Sequence, residues 1–75
     1  MKPHESIGNH LRRLRFEHGE LSQEALARRV GVARQTIIAI EGRRYGPSLE
    51  LAMRLARSFG RSVDDVFFWN DDASG

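Results

Sequence analysis

Seventy-five residues make a single domain, 1–75, with too little core for a large enzyme pocket, and the absence of cysteine removes disulfide staples and thiolate metal sites. No apolar run is long enough to cross a membrane and no signal-peptide h-region follows Met1, so a soluble, cytoplasmic protein is expected. Eleven of the 12 basic residues are arginine, and residues 1–63 carry a net +6 against −4 in residues 64–75, a balance that suits a nucleic-acid partner or, as well, a salt-bridged helical surface.

Between loose ends at 1–4 and 70–75, the apolar spacing is helical. Ile7, Leu11 and Leu14 fall at i, i+4, i+7 and mark one face of a first helix, which Gly19 ends. Ser22 is placed to cap a second helix whose inner stripe is Leu26, Ala27 and Val30, with Gly31 as its stop. A third, short helix runs from about Arg34 to Glu41. At about 100° per residue, Ile37 and Ile40 lie about 60° apart and define its buried side. The opposite side is centred on Gln35, flanked by Ile38 and Ala39, with Arg34 and Thr36 at its edges.

Beyond the loop 42–47, Ser48 caps a fourth helix with an inner stripe of Leu49, Ala52, Met53, Leu55, Ala56 and Phe59, and Gly60 closes it. Ser62 caps a last short helix, with Asp65 placed as in a capping box and Val63, Val66 and Phe67 facing inward. Strand signals are absent, so the expected fold is all-α, a compact bundle of five short helices.

Two short helices joined by a glycine turn, the second with a small and polar outer face, fit helix-turn-helix geometry. Counting Gln23 as the first position, Ala27 is fifth, Gly31 ninth, Val32 tenth, Ile37 fifteenth and Ile40 eighteenth. A small side chain at Ala27 lets the two helices cross closely. Gly31 can take the positive φ of a tight turn. Val32, Ile37 and Ile40 anchor the second helix from below, so its other face is presented outward.

The stretch from Leu21 to Ile37, followed by Ile40-Glu41, the Pro47–Ala52 segment and the ending Val63–Phe67, resembles the phage Cro and repressor-type helix-turn-helix regulators, the xenobiotic response element family. The resemblance covers about residues 6–69 and implies a five-helix, lambda-repressor-like DNA-binding domain. It further implies that Arg34, Gln35 and Thr36 read base edges and that Gln23 touches a phosphate and braces the reading helix. The chemistry agrees, since arginine pairs bidentately with guanine and glutamine with adenine. A phosphate clamp at Arg34 and a merely tolerated polar residue at Gln23 are the alternatives. The loop Arg43-Arg44-Tyr45 resembles the segment that holds the DNA backbone; a solvated loop with one arginine engaged is the other reading. Arg15 and Glu41 occupy positions that pair as an internal ion bridge in some relatives.

Four departures from the family pattern stand out. Ala33 replaces the usual Ser or Thr cap of the reading helix. Gly42 comes one residue early, which leaves Arg43 where glycine is frequent. Glu20 lengthens the first turn by one residue. Ile38 and Ala39 put apolar groups on the reading face, where they either pack against thymine methyls or, for Ile38, sit half-buried at the margin.

Phe68 and Trp69 are surplus to the last helix's stripe, and large exposed aromatics mark interfaces. Family members often dimerise through this end, so Phe68, Trp69 and Val66 are expected to form a homodimer interface, or otherwise to cap a small core. His4, His10 and His18 share no tight ligand spacing, and no phosphate loop or nucleophile motif occurs, so no metal, cofactor or enzyme activity is expected. The leading expectation is a repressor that binds a palindromic operator in double-stranded DNA as a dimer. The alternatives are an antitoxin-type module that neutralises a protein partner, and a non-specific nucleoid protein.

Overall fold

The computed structural model describes residues 7–44 and 46–70. In chain order these form β1 (Ile7–Asn9), α1 (Leu11–Glu17), α2 (Gln23–Val30), α3 (Arg34–Glu41), α4 (Leu49–Ser58), α5 (Val63–Val66) and β2 (Phe67–Trp69). Every helix sends at least one fully or almost fully buried side chain into one core: Leu11 and Leu14, Leu26, Ile37 and Ile40, Leu55, and Val66. Burying such a side chain is worth about 1.5–3 kcal/mol, and in so small a domain this layer carries most of the stability.

The expected caps are in place. The hydroxyls of Ser22, Ser48 and Ser62 accept from the backbone N–H of Ala25, Leu51 and Asp65, and the Ser62–Asp65 box closes reciprocally. Gly31 adopts φ +77° in the α2–α3 turn. Glu20, the extra residue of the first turn, takes φ +56° directly after Gly19 at +81°, so two successive left-handed residues absorb the insertion.

Three expectations are corrected. Strands are present: Ile7–Asn9 pairs antiparallel with Phe67–Trp69, in the register Ile7–Trp69, Gly8–Phe68, Asn9–Phe67. The first helix therefore starts at Leu11 and excludes Ile7, and the last ends at Val66 and excludes Phe67. The physical reasons are local. Asn9 Oδ1 accepts the Leu11 N–H at 3.1 Å and fixes the helix start there, while three consecutive aromatics favour a pleated backbone over a second helical turn. Phe67 still packs against the core, but from the strand.

The third correction concerns Leu49 and Met53, which are 74% and 55% exposed and not part of the inner stripe. The buried arc of α4 is Leu51, Ala52, Leu55, Ala56 and Phe59 just past its end, and Leu49 and Met53 fall at its margin. Of the expected loose ends 1–4 and 70–75, all residues but Asn70 lie outside the described residues.

Candidate nucleic-acid interface

Helix α3 is held from below. Ile37 and Ile40 are buried at 0% and 1% exposure, Val32 packs against the same core, and the Val32 N–H donates to the Ala27 carbonyl at 3.0 Å across the turn. This leaves Arg34 and Gln35 exposed at the start of the helix, with Thr36, Ile38 and Ala39 half-buried beside them. Ala33 supplies no side-chain cap; only its carbonyl accepts, from the Thr36 N–H at 3.0 Å. The first-turn N–H groups of α3 thus lack the side-chain acceptor that Ser22 and Ser48 give their helices.

One carboxylate locks the arrangement. Glu41, the last residue of α3, takes Arg15 Nε on Oε2 at 2.7 Å and Arg15 Nη2 on Oε1 at 3.0 Å. Gln23 Nε2 donates to the same Oε1 at 3.1 Å, and Arg15 Nη1 reaches the Leu21 carbonyl at 2.9 Å. With side-chain exposures of 16% and 11%, Arg15 and Glu41 are shielded enough for this to act as a fixed strut between α1, the start of α2 and the end of α3. Gln23 is therefore seen bracing the end of α3.

Next to the strut lies an open cleft of about 600 Å³, bordered by Arg12, Arg34, Gln23 and Glu24. Arg12 and Arg34 have no acidic partner among the described residues, whereas Arg13 lies 3.7 Å from Glu17 and Arg28 3.5 Å from Glu24. Arg12 was not singled out by the sequence. Its only signal there was position, one helical turn before Arg15 and Phe16 on α1.

Beyond α3, the exposed Arg43 adopts φ +59° and its N–H bonds to the Ile40 carbonyl at 3.0 Å; the Arg44 N–H bonds to Ala39 at 2.9 Å. Gly42, in contrast, sits at φ −80°. The left-handed residue that a glycine would fill more easily is thus Arg43. Tyr45 lies outside the described residues.

Asn9 is a second residue that the sequence reading missed. Its Nδ2 donates to the Ile40 carbonyl at 3.0 Å, so β1 supports the end of α3. The available signal was an Asn two residues before the first helical position, a common side-chain-to-backbone arrangement.

Val66, assigned to a dimer interface, is instead fully buried. It is the core residue of a one-turn helix, and its carbonyl accepts the His10 N–H at 2.9 Å. Phe68 and Trp69 are 37% and 72% exposed. The Phe68 ring lies over Gly8, where an added Cβ would overlap it, and 4.7 Å from the His10 ring, which leaves Trp69 as the more open of the two.

A helix-turn-helix family profile matches residues 11–66. Relatives include an HTH-type transcriptional regulator of Methanocaldococcus jannaschii, 50% identical over 64 residues that make up 85% of this chain and 96% of the relative. Another, from Methanothermobacter thermautotrophicus, is 56% identical over 55 residues, 72% of this chain and 80% of the relative. The HTH-type transcriptional regulator YgzD of Bacillus subtilis is 42% identical over 64 residues, 85% of this chain and 96% of the relative.

Proposed function

The chain belongs to the helix-turn-helix family of transcriptional regulators, of the xenobiotic response element type, and from that premise we propose that it is a repressor that binds a palindromic operator as a homodimer. Helix α3 enters the major groove. Arg34, Gln35 and Thr36 read base edges, and Ile38 and Ala39 offer apolar contact to thymine methyls. Gln23, Arg43, Arg44 and Tyr45 hold phosphates on either side, and Arg12 joins them at the cleft beside Arg34. Phe68 and Trp69 bring two copies together, which places two reading helices one DNA turn apart, roughly 34 Å. The protein acts where the chromosome is, in the cytoplasm.

The observation that carries this reading is the contrast along α3: two isoleucines anchored at 0% and 1% exposure, and on the other side two exposed long polar side chains suited to guanine and adenine.

Selection from a random duplex pool at roughly 150 mM salt, which suppresses non-specific phosphate binding, tests the proposal. An enriched palindrome is expected. A single enriched half-site would retain the reading helix and remove the dimer. No enrichment, with binding only at low salt, would overturn sequence-specific regulation in favour of a protein-directed or non-specific role. Arg34→Ala and Gln35→Ala should relax specificity, each by about 1–3 kcal/mol at its base pair.

A further inference from the structure

The outer margin of α4 carries apolar surface that the core does not use. Leu51, Ala52, Leu55 and Ala56 already fill the inner arc, yet Leu49 and Met53 stand 74% and 55% exposed. With Arg57 they climb the helix at i, i+4, i+8 and border an open groove of about 540 Å³. Within it Arg54 is held in place, donating from Nη2 to Glu50 at 2.6 Å and from Nη1 to the Val30 carbonyl at 3.2 Å. Arg57 also borders an adjoining hollow with Arg29. Neither of these two arginines has an acidic partner among the described residues, in contrast to Arg13, Arg15, Arg28 and Arg54.

We propose that this face docks an acidic amphipathic helix of a partner protein, with apolar side chains on Leu49 and Met53 and carboxylates against Arg29 and Arg57. The chemistry favours this occupant over the other classes. Leucine and methionine one turn apart present an adaptable apolar strip, the feature that helix-in-groove recognition uses and that DNA phosphates cannot exploit. The three arginines of this face, Arg29, Arg54 and Arg57, are also fewer than the four to eight basic residues that mark an anionic lipid site. The charge pattern therefore selects an acidic protein segment, with the arginines fixing its orientation.

The test uses the full chain and a labelled synthetic helix of about 15–20 residues, with leucines at i, i+4 spacing flanked by glutamates, followed by fluorescence anisotropy. Saturable binding is expected. The Leu49→Ser/Met53→Gln double variant and the Arg29→Glu/Arg57→Glu double variant should each weaken it by about tenfold or more. Thermal unfolding of both should stay near wild type, since all four side chains are exposed. A scrambled peptide of identical composition should not compete. Equal binding by the scrambled peptide, insensitivity to both double variants, or no binding would overturn the proposal. So would a Leu49/Met53-dependent change in sedimentation of the free chain, which would identify a second copy as the occupant. Leu49/Met53-dependent binding to phosphatidylglycerol vesicles would likewise replace the protein partner with a lipid surface.

Discussion

Arg15 and Glu41 meet in a two-point ion pair, Nε to Oε2 at 2.7 Å and Nη2 to Oε1 at 3.0 Å, across 26 residues of sequence. Because Gln23 shares the same carboxylate, one side chain at the end of α3 sets the distance between α1 and both helices of the helix-turn-helix unit. The expected consequence is asymmetric. Glu41→Ala leaves a shielded guanidinium without its partner and should cost about 3 kcal/mol in chemical denaturation. An Arg15→Met/Glu41→Leu double variant should recover most of that stability, because no charge is then stranded. If the single and double variants unfold at the same denaturant concentration, the pair is a surface contact and not a strut.

The Asn9 side chain carries a second expectation. Asn9→Ala removes both the acceptor for the Leu11 N–H and the donor to the Ile40 carbonyl, and should cost about 1–3 kcal/mol. Asn9→Asp keeps the acceptor but turns an oxygen on the carbonyl of Ile40, so it should be no more stable than the alanine variant. Thermal melts of the two decide this, since about 1 kcal/mol corresponds to a shift of about 4–8 °C in a domain of this size.

These two struts also show what was legible in the sequence. The stripes of the second and third helices, the serine caps and the positive φ at Gly31 follow from spacing and side-chain chemistry within a few residues, and all of them appear in the structure. The strand pair does not follow from such local rules. Ile7 continues the i, i+4, i+7 pattern of Leu11 and Leu14, and only its pairing with Trp69, 62 positions away, draws it into a strand. Leu49 and Met53 failed for a related reason: a hydrophobic pattern reports which residues are apolar, but the arc of a helix that is buried depends on what packs against it. Arg12 carried no distinguishing signal, because an arginine acquires a role in a cleft only when α1 is laid beside the start of α2.

Arg43 is expected to trade stability for binding. A non-glycine residue at φ +59° costs roughly 1–2 kcal/mol, and glycine would relieve it while giving back about 0.4–1 kcal/mol to the unfolded chain. Arg43→Gly should thus melt higher, by about 0.5–1 kcal/mol of stability. As a phosphate contact under the proposed function, the same change should weaken binding on all duplexes alike and lower the salt slope by about one unit. Loss confined to one base pair would make Arg43 a base reader.

Val66 and Trp69 separate buried core from exposed surface within four residues. Val66→Ala removes buried methyl groups and should lower stability by about 1–3 kcal/mol without altering the association state of the folded protein. Trp69→Ala removes a ring that is 72% exposed, so the monomer fold should be nearly as stable, yet under the proposed function dimerisation and operator affinity should fall together. Sedimentation equilibrium and operator titration on both variants check the contrast. A wild-type chain that sediments as a monomer at every concentration, with Trp69→Ala binding DNA normally, would remove the dimer and leave a single α3 reading one half-site.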